Sequence, residues 1–262
     1  MSEDDRRRDE AMNALDAFGL LACQNYNLGN RGNWLLSFRA GLKGVRSRAE
    51  GWAEHVEAIH SWVPLQHIEA RERHLAGALF CMDSALECLV FALNAIGNAV
   101  EPSAFRDITS RKELSRVSPR NVVGGNNEQP LLGYAKYFPT VQAEWARSAN
   151  TISLVCDNHD VSKHRQATFW GGTLRDDPPD ALRAAIEADD KLIIFSPMAE
   201  VLLPRDPKAP LGDLPKELEH WVTFEQLQGD LSLLLTTSVE LALDDAVKHI
   251  PLPEKTLRES SA

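Results

Sequence analysis

The stretch LAGALFCMDSALECLVFALNAIGNAV, residues 75–100, decides the fold. Leu75, Leu79, Met82, Leu86, Leu89, Leu93 and Ile96 follow one another at alternating steps of four and three. That is an apolar seam sustained over three heptads, and it predicts a long helix. Beside it, Ala78, Ala85, Ala92 and Ala99 recur every seven residues. Small side chains in such a row let a neighbouring helix come close. A seam and an alanine row together require burial on more than one side. The stretch therefore reads as the central helix of a bundle, covering residues 66–99. Asp83, Glu87, Asn94 and Asn98 share the remaining face. The carboxylates Asp83 and Glu87 are expected to pair with an arginine or to face water. Two such charges near the middle of the segment argue against a membrane span.

Outward from this helix, the pattern predicts a mainly α protein. Toward the N-terminus lies a helical region, residues 1–62, with a charged, frayed start at 1–10 and glycines at 41, 44 and 51 interrupting its second helix. The remainder, 63–262, reads as the helical-bundle domain, and the two parts are also compatible with one continuous domain. Residues 101–133 carry Pro102, Pro119, Gly124-Gly125-Asn126-Asn127 and Pro130 and read as irregular. A helix is expected over 140–165, with the apolar row Val141, Trp145, Ala149, Ile152 and Val155. A last helix is expected over 224–249, stopped by Pro251 and Pro253. Leu192-Ile193-Ile194-Phe195 and Glu200-Val201-Leu202-Leu203 give a small β element near 192–203.

The chain has 262 residues and a net charge of −10, and the charge is uneven. Residues 1–173 hold 19 Lys/Arg against 20 Asp/Glu, whereas residues 174–262 hold 9 against 18. Phosphate repels the last third, which makes it a poor candidate for a nucleic-acid face, whereas the near-neutral first two thirds could carry a local basic patch. Cys23, Cys81, Cys88 and Cys156 form no C-x-x-C pair and read as reduced thiols. MSEDDRRRDE at the N-terminus lacks an apolar h-region, so a cytoplasmic location is expected. No phosphate loop, dinucleotide fingerprint, nucleophile elbow or H-E-x-x-H is present, and neither a metal nor a cofactor is expected. His60, His67 and His74 recur every seven residues. Along one helix they would stand about 10.5 Å apart, too far to share one ion.

The densest polar cluster is C-D-N-H-D-V-S-K-H-R, residues 156–165. On a continuing helix Asp160 and His164 share a face, where the carboxylate would orient the imidazole. Lys163 and Arg165 add two cations suited to phosphate. Such a histidine can act as general acid or base on a ribose hydroxyl or a phosphate. Equally, Lys, His and Arg in a last helical turn cap free carbonyls and complement the dipole.

A long apolar helix followed by a later helix that ends in a polar residue and a basic-flanked histidine resembles the HEPN superfamily. The similarity runs from about Gln66 to Trp170 and rests on Asn158-His159-Asp160-Val161-Ser162-Lys163-His164. The resemblance implies a small helical bundle, often dimeric, whose active members are metal-independent ribonucleases with an R-x(4–6)-H motif. It implies His164, Asn158 and Asp160 as catalytic candidates and RNA or a nucleotide as partner. The arginine of the motif is absent, since 157 is Asp and 158 is Asn. Arg120 or Arg147 would have to supply that cation alongside Lys163 and Arg165. A formal R-x6-H does occur at Arg48 and His55, on one face of a helical stretch. The competing expectation is a non-catalytic helical protein whose seam serves interaction or dimerisation.

Overall fold

The computed structural model describes residues 3–25, 34–61, 68–124, 131–164, 193–195 and 221–252. Those residues are mainly α, and nine helices are described among them. They are α1 (Glu3–Asn25), α2 (Trp34–His60), α3 (Ile68–Val100), α4 (Arg111–Leu114), α5 (Pro119–Val123), α6 (Leu132–Tyr137), α7 (Pro139–Arg147), α8 (Ala149–His164) and α9 (Phe224–His249). Backbone pairing joins Ile193–Phe195 (β1) antiparallel to Trp221–Thr223 (β2). Three residues a side do not establish the β element expected near 192–203, most of which lies outside the described residues.

The chain forms two compact units, each discontinuous in sequence. The first gathers residues 1–47, 84–149 and 232–262, and the second residues 48–83 and 150–231. The helix α3 contributes to both. Its whole seam from Leu75 to Ile96 is buried, and so are Ala78, Ala85, Ala92 and Ala99. Residues Arg73–Val100 are also apolar enough to cross a membrane by length and composition, and most of that segment is buried inside the protein.

Three boundaries depart from the sequence reading. The glycines expected to interrupt the second helix sit inside an unbroken α2. A Cβ at Gly41 would lie 2.7 Å from the Cys88 carbonyl oxygen, and one at Gly44 would lie 2.6 Å from Cys88 Sγ. These glycines mark where the backbone of α2 runs against α3. The charged start is helical from Glu3 rather than frayed. Glu3, Asp4 and Asp5 complement the helix dipole there, and Arg7 reaches Glu240 at 2.6 Å. The helix expected over 140–165 is two helices. Ser148 leaves the helical region at φ −94°, ψ 15°, and its N–H still donates to the Glu144 carbonyl as the C-cap of α7.

Within the first unit, α3 is fixed by polar contacts to the segments that follow it. Asn94 donates to the Arg106 carbonyl at 2.8 Å and accepts from the Arg106 N–H at 3.1 Å. The buried Tyr134 hydroxyl donates to the Val90 carbonyl, and burial pushes that hydroxyl well above the usual tyrosine range. The region expected to be irregular, 101–133, holds short capped helices. For α5, Ser118 accepts from the Asn121 N–H, Pro119 takes the first position and Gly124 closes at φ 81°. The start of α7 is capped from α9. Thr140 and Val141 donate their N–H groups to Asp245 Oδ2 at 2.9 and 3.1 Å, and Asp245 is fully buried.

Two predictions follow from these contacts. Replacing Asp245 by Ala leaves two helix N–H groups without an acceptor, and urea denaturation should show a loss of about 2 kcal/mol. At the end of α3, hydrogen bonds from Lys136 and then Tyr137 hold the Glu101 carboxyl below its usual range. A depressed carboxyl contributes stability above its unfolded pKa and loses it as pH falls through the folded value. Melting temperature should therefore fall with pH below the usual glutamate range of about 4.3, and Glu101→Gln should flatten that dependence.

Candidate functional site

The second unit concentrates the titratable groups of interest on α2, α3 and α8. On α8, Ile152, Val155, Cys156 and His159 are buried at the i, i+3, i+4, i+7 spacing of an inward face. His159 takes the last position of that face and is 7% exposed. Opposite it, on α3, Asp83 is 6% exposed. His159 Nδ1 lies 2.6 Å from Asp83 Oδ2, and the Cys156 thiol donates to Asp83 Oδ1 at 3.0 Å. Asp83 thus meets neither an arginine nor water, as the sequence had suggested, whereas Glu87 one turn on is exposed.

The chemistry of this trio follows from who can donate. A carboxylate only accepts, so Nδ1 of His159 is the donor in this bond. A carboxylate orienting an imidazole through Nδ1 is the arrangement that prepares a general base.

Phe80, on α3 one turn before Asp83, stands edge-on to the His159 ring at 5.2 Å between centroids. The Arg48 guanidinium, from α2, lies over the same phenyl ring at 5.2 Å. Arg48 Nε is shut off from solvent without a hydrogen bond, and among the described residues no carboxylate reaches ion-pair distance of this side chain. Cys81 sits nearby. Burial pushes its thiol up, and the charge of Arg48 only partly opposes this. One turn and more further along α2, His55 Nδ1 faces His74 Nδ1 of α3 at 3.1 Å.

The residues singled out from sequence divide between the units. The backbone carries Asn158, Asp160, Lys163 and His164 on the last turns of α8, in the second unit, and Arg165 lies outside the described residues. Arg120 on α5 and Arg147 on α7 belong to the first unit. Arg120 is half-buried, and the exposed Arg147 pairs with Glu144 at 2.6 Å. His159 and Asp83 were the members that sequence reasoning passed over as a site. One signal was available: the row Ile152, Val155 extended by one further turn falls on His159. Among the described residues, no three His, Cys, Asp or Glu side chains converge as a metal-ion site.

No family model matches the chain, and neither the curated proteins nor the solved structures include a significant match to it.

Removing Asp83 would strip the acceptor from two buried donors. Asp83→Ala should cost about 3–5 kcal/mol in denaturant unfolding, and Asp83→Asn, which keeps one acceptor oxygen, should cost less. An unchanged midpoint for Asp83→Ala would show that this trio does not hold α8 to α3.

Proposed function

We propose that the chain is a cytoplasmic, HEPN-like helical protein that binds the phosphate of a nucleotide or a short RNA on its second unit, with binding rather than turnover as its role. The observation that carries this reading is Arg48. A guanidinium stacked on a ring keeps its edge donors directed outward, where they match a phosphate in two-point geometry. Its Nε is closed in without a hydrogen bond, and among the described residues no carboxylate reaches the side chain.

Its surroundings support the same ligand class. Phe80 is 38% exposed, enough to meet a base or sugar beside the phosphate. The imidazole of His159, fixed by Asp83, borders that ring. Lys163, His164 and Arg165 follow on or just after α8 and would add cations. The overall charge of −10 limits the ligand to something short, because a long polyanion would be repelled by the rest of the molecule. Free thiols at all four cysteines fit a reducing compartment.

The test is fluorescence anisotropy with a short labelled single-stranded RNA, competed with adenosine monophosphate. Arg48→Gln should weaken binding about tenfold, the equivalent of one charge-assisted hydrogen bond. Arg39→Gln, which breaks a surface pair with Asp16 in the first unit, should leave it unchanged. Equal affinity for wild type and Arg48→Gln sinks the reading, as does an absence of binding. Incubation with total RNA in EDTA, with His164→Ala as control, tells binding from cleavage: degradation by wild type alone would replace the binding role with a metal-independent ribonuclease.

A further inference from the structure

We infer that the outward face of α1 between Asn13 and Gln24, with Leu36 of α2 beside it, is the surface on which a second copy of this chain docks. The surface lies in the first unit and shares no side chain with the phosphate-binding reading.

The helix α1 has two unlike faces. Arg8, Ala11, Met12, Leu15, Phe18 and Ala22 are buried at the spacing of an inward stripe. Asn13, Ala14, Ala17, Leu20, Leu21 and Gln24 are exposed on the other side. The outward face of such a helix ordinarily carries charged and polar residues. Here its middle is apolar and no charge stands on it, since Asp16 is the only charged residue of the sequence from Ala11 to Asn25. Leu20 is 43% and Leu21 45% exposed.

The pairing of α1 with α2 widens the patch. Arg46 donates to Asn13 and Arg39 to Asp16, so the two helices run antiparallel. Leu36 stands three residues before Arg39, and Leu20 four residues after Asp16. Both therefore lie one turn beyond the ion pair, on the same rim. Leu36 is 64% exposed.

Charge selects the occupant. At −10, two copies repel one another in most orientations. In a twofold dimer each residue on the axis meets its own copy, so a charged face would meet like charge. An uncharged face escapes this, and the Asp16–Arg39 pair at its border is neutral in sum. Ala17, midway along the face, is small enough to let two α1 backbones cross closely. In an antiparallel crossing centred there, Leu20 of each copy falls opposite Ala14 of the other, large against small. Glu10 falls opposite Gln24 rather than a second acid. The seam of α3 is buried within the chain and offers a second copy no surface. Two faces about 16 Å long, with their Leu36 flanks, bury on the order of 1,000 Å² in total, the lower bound for a specific interface. The dimer is accordingly weak.

Sedimentation equilibrium of the full chain from about 1 to 300 µM tests this. A monomer–dimer equilibrium should appear, and raising NaCl from about 50 to 500 mM should strengthen it, because salt screens the repulsion and leaves the apolar contact. Ala17→Glu puts two carboxylates on the axis at an exposed helical position, and it should weaken the dimer at least about tenfold without changing the far-ultraviolet dichroism. Ala53→Glu adds the same charge at an exposed position of α2 in the second unit and should leave it unchanged. In a Cys23→Ser background, Ala17→Cys should form a covalent dimer on mild oxidation and Ala53→Cys should not. A chain monomeric throughout that range, a dimer that salt dissolves, or one that Ala17→Glu leaves intact would each overturn the surface. So would flotation of the monomer with phosphatidylcholine vesicles in place of self-association, which would assign the face to lipid.

Discussion

The backbone approach of α2 to α3 is the constraint on which the rest of the structure depends. At Gly41 a methyl group would meet the Cys88 carbonyl and Ala92. At Gly44 it would meet Cys88, and at Gly51 it would come within 2.9 Å of Cys81 Sγ. Within each unit the contacts step in opposite directions along the two helices: 41 with 92 and 44 with 88 in the first, 51 with 81 and 55 with 77 in the second. Each is an antiparallel approach that a glycine permits. The approach in the second unit then decides the chemistry. It lays Arg48 across Phe80 and turns His55 toward His74. A side chain at Gly51 would meet Cys81 Sγ in the unit that holds both pairings.

Asp83 performs the corresponding task for α8. A carboxylate buried on a helix costs several kcal/mol of desolvation and is retained only where its oxygens are satisfied. Its two partners, Cys156 and His159, are three residues apart on α8, so a rotation of α8 by a single residue position would unpair both. Apolar contacts from Ile152 and Val155 supply attraction but tolerate sliding. The two hydrogen bonds to one carboxylate do not. The polar trio therefore specifies the register of a helix whose apolar face alone leaves it loosely defined, and in doing so it fixes the His159 ring against Phe80.

How much of this was legible follows from which signals are local. The α3 seam was legible because its spacing is itself the record of burial, and every seam residue is buried as the spacing requires. The last helix was legible for the same reason, with prolines to end it. The glycines of α2 were misread because glycine serves both as a helix breaker and as a close-contact residue, and only the neighbour tells which. Ser148 looks like any mid-helix serine, and no glycine or proline marks the break there. Asp83 and His159 are separated by 76 residues, and nothing in either segment announces the other. Of the polar segment emphasised by the resemblance, the fold gives the backbone positions of Asn158, Asp160, Lys163 and His164, at the end of α8.

Six arginines of the described residues pair with carboxylates, and Arg48 instead lies over an aromatic ring. Arg7 pairs with Glu240 and Asp4, Arg8 with Asp5, Arg39 with Asp16, Arg106 and Arg116 with Glu113, and Arg147 with Glu144. Exposed pairs of this kind add little stability. They do show where carboxylates stand within reach of the described guanidinium groups. At Arg48 the position of Phe80 replaces the carboxylate. The attraction of a ring face for a cation is weaker than that of an anion and does not consume the N–H donors. A charge held by its weaker partner keeps its stronger interaction in reserve. In a molecule this acidic, that arrangement places a local attraction for phosphate within a field that repels polyanions, and selects ligands small enough to feel the first and escape the second.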